Sequence, residues 1–152
     1  MSMEETIRLI GQLKLSGFNL EGSVAFPILG DGVLLTIGLS GDLEIHDSQM
    51  ETLDWFYQSI ELLYPQIVYA IFDYYKSVLP NYHLNLGDHA SELMPPISNS
   101  EEIWKYVTEP GVFIFLEDEG GNLLLEYESS FDVEHGFRVV FENRKLIGIG
   151  ID

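Results

Sequence analysis

The fold is decided by residues 48–79, which read SQMETLDWFYQSIELLYPQIVYAIFDYYKSVL. Apolar side chains recur in this stretch at spacings of three and four residues, which places them along one side of an α-helix. The members of this stripe are Leu53, Phe56, Ile60, Leu63, Ile67, Ile71, Tyr74 and Val78. The sequence therefore predicts a long helical region from Ser48 to Leu79 whose stripe faces the core of the protein.

Two features mark the start and the middle of this helical region. Ser48 followed by Glu51 is a capping-box pattern, in which each side chain satisfies a backbone N–H of the first turn. Pro65 lacks a backbone donor and its ring clashes with the preceding turn. A straight helix of this length would run ~46 Å, which exceeds the ~40 Å diameter of a compact domain of this size. We therefore expect a kink or a break at Pro65.

The residues before this region show helix, turn and strand signals. Ser2 to Leu13 has another capping-box pattern and helical spacing, which predicts a short helix. The Gly-Asp-Gly sequence at 30–32 separates two apolar runs, Val24 to Leu29 and Val33 to Leu39, and predicts a β-hairpin. The second run is almost continuously apolar, so we expect it inside the sheet. Leu43 to His46 either extends this strand or starts another.

The residues after the helical region begin with irregular structure. Pro80 to Pro96 contains two adjacent prolines together with Asn, Gly, Asp and His, which favours a loop. Ser98 with Glu101 is a third capping-box pattern, so Glu101 to Val107 is predicted to be a short helix. The Pro110-Gly111 pair is expected to end it.

The last forty residues have the pattern of an antiparallel meander, because short turns rich in Gly and Asn separate the apolar runs. The predicted strands are Val112 to Glu117, Leu123 to Glu128, Phe137 to Phe141 and Lys145 to Ile149. Alternation along the second of these puts Leu124, Glu126 and Glu128 on one face, which is largely acidic. The predicted fold class is α+β, with an antiparallel sheet (N-terminal hairpin plus C-terminal meander) packed against the kinked or broken helical region 48–79. We expect residues 1–152 to form a single domain.

The composition limits the partners and the compartment. The chain has 7 Lys+Arg against 25 Asp+Glu, a net charge of -18 and a pI of about 4.2. This balance disfavours binding to nucleic acid or to an anionic membrane and favours a basic protein partner. The chain has no Cys, which fits a reducing compartment. It has no signal-peptide pattern and no apolar run long enough to span a bilayer, so we expect the cytoplasm.

The acidic residues are unevenly distributed. No Lys or Arg occurs between Lys14 and Lys76, or between Lys105 and Arg138. The second gap holds all of the residues that we regard as candidates for contact with a partner. These candidates are Glu117, Asp118, Glu119, Glu126, Glu128, Asp132, Glu134 and His135. Two interpretations remain open, because such a surface can serve solubility alone or can form a recognition face.

Asp132, Glu134 and His135, in FDVEHGF, are the residues that could form a metal site or an acid/base pair. The other histidines are scattered, and the sequence has no HExxH, GxSxG or phosphate-binding glycine motif. The residues therefore predict no catalytic site, no metal and no cofactor. An enzyme or metal-dependent protein that uses these three residues is the alternative function.

Four pieces of the chain, in this order, resemble a family of small, uncharacterised bacterial domains. They are EGSVAFPILGDGV, the D-S-Q pattern that opens a helix ending in DYY, ISNSEEIWKYV, and VEHGFRVVFENRKLIGIG with its acid-His-Gly motif. Phe131 stands where that family usually has a tryptophan. The resemblance implies an association with immunity proteins of bacterial toxin systems, without enzymatic activity. We therefore expect a non-catalytic acidic binding protein, such as an immunity protein that neutralises a cationic toxin, in an oligomeric state that the sequence does not determine.

Overall fold

The structure is a computed structural model that describes residues 3–87, 94–116, 122–132 and 136–151, with only the backbone of residue 85. The elements whose bounds lie within these ranges are two α-helices, one 3-10 helix and seven strands. In chain order they are α1 (Glu4–Ile10), β1 (Lys14–Ser16), β2 (Asn19–Phe26), β3 (Gly30–Gly38), α2 (Asp47–Leu86), the 3-10 helix (Ser100–Lys105), β4 (Val107–Ile114), β5 (Leu123–Ser129), β6 (Phe137–Glu142) and β7 (Lys145–Ile151). The predicted α+β class is confirmed.

The seven strands form one sheet in their order along the chain, from β1 to β7. Neighbouring strands are antiparallel, except that β3 and β4 run parallel, with Leu34 opposite Gly111 and Ile37 opposite Ile114. A parallel pair needs a long crossover connection, and α2 lies in that connection. The sequence predicted that the N-terminal hairpin and the C-terminal meander are each antiparallel. It did not predict that the two join through a parallel pair of strands.

The N-terminal hairpin is confirmed, although its turn lies elsewhere than predicted. Val24 pairs with Val33, and Phe26 pairs with Gly30, so the turn is formed by residues 27–29. The Gly-Asp-Gly sequence, which we expected at the turn, belongs to β3. Pro27 cannot donate to a strand ladder, which favours a turn at this point. β3 lies between β2 and β4, as its continuous apolar character predicted.

The long helix is continuous through Pro65, so of the predicted kink or break the break is wrong, and the kink stays a prediction. α2 contains both Pro65 and Pro80, and it extends through Leu86, where we predicted a loop. Both prolines are exposed, so the missing backbone hydrogen bonds lie on the solvent side. The buried stripe, which includes Phe56, Ile60 and Ile67, stays in phase across Pro65. Burial of this stripe outweighs the ~3 kcal/mol that a proline costs within a helix.

The helix ends differ from the predicted caps. The side-chain oxygen of Gln49 accepts a hydrogen bond from the His46 backbone N–H at 2.9 Å, so α2 begins one residue before the predicted Ser48. α1 begins after Met3, which makes no side-chain cap hydrogen bond. Leu43 to His46 forms no strand.

The predicted short helix at Glu101 to Val107 is a 3-10 helix over Ser100–Lys105. Its N-cap is Asn99 and not the predicted Ser98. The side-chain oxygen of Asn99 accepts a hydrogen bond from the Glu101 backbone N–H at 3.0 Å. The Pro110-Gly111 pair does not end this helix, because both residues lie inside β4.

Candidate partner-binding face

The sheet has one face that packs on α2 and one open face. Along β5, Leu123, Leu125 and Tyr127 are buried, whereas Glu126 is half-buried and Glu128 is exposed. The predicted alternation of this strand is therefore confirmed. Leu124 also points to the open face, but it is 8% exposed because neighbouring side chains cover it.

A β-bulge in β4 brings a second carboxylate next to Glu128. Thr108 pairs with Glu128 and Gly111 pairs with Glu126, so two residues of β4, Glu109 and Pro110, lie opposite the single residue Tyr127 of β5. Glu109 has a φ of 57°, which a residue with a side chain seldom adopts. Bulges of this kind redirect a side chain, and here the side chain of Glu109 reaches that of Glu128.

The two carboxyl groups interact directly. A hydrogen bond to Glu109, followed by the charge of Glu109, raises the pKa of the Glu128 carboxyl above its ordinary value. Two carboxylates that share a site disfavour double ionisation. Within the described part of the chain, neither Glu109 nor Glu128 forms an ion pair with Lys or Arg. A cation placed between them would relieve their repulsion.

These carboxyl groups line an open depression of about 480 Å³ on the sheet. Three of the residues around it are glycines, Gly32, Gly111 and Gly136, so no side chain fills the space above the backbone there. The residues with polar side chains that line it are Thr36, Glu109, Glu126, Tyr127 and Glu128. The depression is therefore shallow, acidic and accessible to an extended segment of another protein.

Arg138 on β6 lies directly opposite Glu126, one of the residues that line this depression. Its Nη2 atom lies 3.5 Å from the Ile151 carbonyl oxygen. Cross-strand neighbours of opposite charge attract, so Arg138 offsets part of the charge of Glu126. The Glu109–Glu128 pair is consequently the more strongly acidic part of the depression.

Asp132 lies apart from Glu126 and Glu128. Its Oδ2 atom accepts a hydrogen bond from the Tyr82 hydroxyl at 2.8 Å, near the end of α2. Burial and this hydrogen bond both raise the pKa of the Tyr82 hydroxyl, so the tyrosine stays a donor at neutral pH. The arrangement ties the connection after β5 to α2, which is a structural role.

The remaining candidates, Glu117, Asp118, Glu119, Glu134 and His135, lie outside the described residues. The structure therefore does not test the alternative site of Asp132, Glu134 and His135. Among the residues that are described, no three His, Asp or Glu side chains are grouped as metal ligands.

Sequence reasoning missed Glu109 as a member of this face. The residue precedes Pro110-Gly111, which favours the end of a helix, and its proximity to Glu128 depends on the β4–β5 register. A local signal was the combination of an acidic residue with Pro and Gly inside an apolar run, since these residues are typical of bulges.

The protein is an α+β protein with a mixed, mostly antiparallel sheet, and one face of this sheet is open and acidic. The chain belongs to DUF6985, a family described as a domain of unknown function, which matches residues 9–151. No curated protein and no solved structure matches the chain. In the described ranges, neither helix combines the length and the apolar character that crossing a membrane requires.

Proposed function

We propose that this protein is a non-catalytic binding protein whose open sheet face binds a basic partner protein. The observation that carries the proposal is the Glu109–Glu128 carboxyl pair, which forms no ion pair with Lys or Arg in the described ranges. Like charges held together on a surface gain most from a cationic ligand. The net charge of -18 adds a long-range attraction for a basic protein.

The biological role that we propose is that of a bacterial immunity protein, which neutralises a cationic toxin in the cytoplasm by covering part of its surface. An acidic face suits this role, because electrostatic steering accelerates the capture of a basic protein. Binding alone suffices for neutralisation, so the role requires no catalytic residue.

The experiment compares two variants that remove the same number of charges. Glu109→Gln with Glu128→Gln neutralises the pair on the open face, and Glu51→Gln with Glu61→Gln neutralises two exposed residues of α2. Each protein is immobilised at low salt, and partners are captured from the native host. Association rates of the captured partner are then measured from about 50 mM to about 300 mM salt.

We expect a basic partner whose association rate falls steeply as salt rises. At low salt, the association rate of the open-face variant should be several-fold lower than that of the unmodified protein. The α2 variant should stay within about twofold of the unmodified protein. An acidic or neutral partner, or equal effects of the two variants, would overturn the proposal. If the captured protein inhibits growth when expressed alone, co-expression should restore growth; failure to restore it would exclude the immunity role.

A further inference from the structure

A second, smaller cavity of about 250 Å³ lies beside the acidic depression. Its lining is mostly aromatic and aliphatic and comes from the β2–β3 turn, α2, the 3-10 helix, β4 and β5. Six of the residues that line it are Ile28, Tyr64, Trp104, Val107, Thr108 and Tyr127. Small-molecule sites have volumes of roughly 300–1,000 Å³, so this cavity has the size for one side chain.

Trp104 is the centre of an aromatic group at this cavity. Its ring stacks on Tyr64 with centroids 6.1 Å apart and an angle of 19°, and it lies 5.6 Å from the ring of Tyr127. The indole Nε1–H donates to the Tyr64 hydroxyl at 2.9 Å. This hydrogen bond uses the polar edge of Trp104, so the cavity offers mainly π-faces and aliphatic groups to a ligand.

Carboxylates lie near two sides of this aromatic group but do not line the cavity itself. The Tyr64 hydroxyl lies 3.5 Å from Oε2 of the exposed Glu101. Pro110 and Tyr127 line both this cavity and the depression that holds the Glu109–Glu128 pair, so the two cavities adjoin. A ligand that enters the aromatic cavity therefore lies close to negative charge.

We propose that this cavity receives an arginine side chain of the basic partner. A guanidinium is planar and weakly hydrated, stacks on Trp and Tyr rings, and donates to carboxylates in a fork. Lysine has a compact, strongly hydrated ammonium that would lose more hydration in such a cavity. The inference rests on the proposed function, because the acidic face is what brings the basic segment to the cavity.

The probe is a labelled nine-residue peptide of alternating Gly and Lys with one arginine at its centre. A second peptide carries citrulline in that place, which has nearly the same shape but no charge. Trp55→Phe leaves Trp104 as the only tryptophan, since the chain has two, so emission reports on the cavity. Thr108→Phe fills the cavity from an exposed strand position, and Ser16→Phe is the matched control on β1.

We expect the arginine peptide to bind roughly three- to tenfold more tightly than the citrulline peptide and to change the emission of Trp104. Thr108→Phe should remove this preference, and Ser16→Phe should keep it. Equal affinities for the two peptides, no binding of either, or a preference that survives Thr108→Phe would overturn the inference. Blocked arginine that binds alone as tightly as the peptide would also overturn it, because the cavity would then be a small-molecule site.

The open-face variant separates this inference from the proposed function. If peptide affinity falls with Glu109→Gln and Glu128→Gln but arginine and citrulline bind equally, the acidic face functions and the arginine cavity does not. If the arginine preference persists while the loss of the two charges has no effect on affinity, the cavity functions and the proposed role of the acidic face fails.

Discussion

The side-chain amide of Gln49 donates to the backbone carbonyl of Phe115 over 2.8 Å. The same amide nitrogen donates to the Gly38 carbonyl at 2.6 Å, and Gln49 is fully buried. One side chain at the start of α2 thus reaches the ends of β3 and β4, the two parallel strands. It thereby satisfies the carbonyl of the buried Gly38 and the carbonyl that follows β4.

We expect Gln49→Leu to destabilise the protein by about 2–4 kcal/mol, because two carbonyl groups lose their donor. Gln58→Leu, at an exposed position of the same helix, is the control and should change stability by less than about 0.5 kcal/mol. Urea denaturation measures both changes. Equal stability of the two variants would show that Gln49 does not hold the parallel pair.

The hydrogen bond between Tyr82 and Asp132 should appear as a coupling energy. A double-mutant cycle with Tyr82→Phe and Asp132→Asn is expected to give about 1–2 kcal/mol, since the acceptor is charged. Tyr69, which is 66% exposed on the same helix, supplies the control: Tyr69→Phe should show no coupling to Asp132→Asn. A coupling near zero in the first cycle would remove the structural role that we assign to Asp132.

The carboxyl pair predicts a pH dependence of stability. The pKa of Glu128 is raised in the folded protein by Glu109, so the folded state holds its proton more tightly than the unfolded state. This contribution to stability is present at low pH and is lost as pH rises through the raised pKa. Glu128→Gln should therefore be more stable than the unmodified protein at neutral pH. Its stability should not show the decrease that the raised pKa causes as pH rises.

The measurement is urea denaturation between about pH 4 and pH 7. Glu109→Gln should have the same effect as Glu128→Gln, and the double variant should add little, because either change alone removes the repulsion. Glu61→Gln, on the exposed side of α2, should leave the pH profile unchanged. An identical profile for the unmodified protein and all four variants would contradict the interaction between the two carboxyl groups.

The exposed proline in the middle of α2 predicts a stabilising substitution. Pro65→Ala restores a backbone donor in a continuous helix and should raise the free energy of unfolding by about 1–3 kcal/mol. Gln66→Ala, at the next exposed position, should change it by less than about 0.5 kcal/mol. A loss of stability in Pro65→Ala would show that the packing of α2 on the sheet depends on the geometry that the proline imposes.

The elements with strong periodicity could be predicted from the sequence. The stripe from Leu53 to Ile71 and the alternation along Leu123–Ser129 are local properties, because the positions of side chains on a helix or a strand follow from the backbone repeat alone. The net charge and the acidic side of β5 follow from the same local information. The predicted break at Pro65, the loop from Pro80 and the helix end at Pro110 were wrong for a common reason, since local proline rules were overridden by burial and by strand pairing.

The tertiary structure decided which distant residues meet. The parallel pairing of β3 with β4 depends on the path of α2, and the contact of Glu109 with Glu128 depends on a bulge and on the β4–β5 register. The Tyr64–Trp104 stack joins α2 to the 3-10 helix across forty positions of the sequence. A pattern along the chain determines which face a side chain occupies, whereas strand register and helix placement, which are set by packing of the whole core, determine its neighbours.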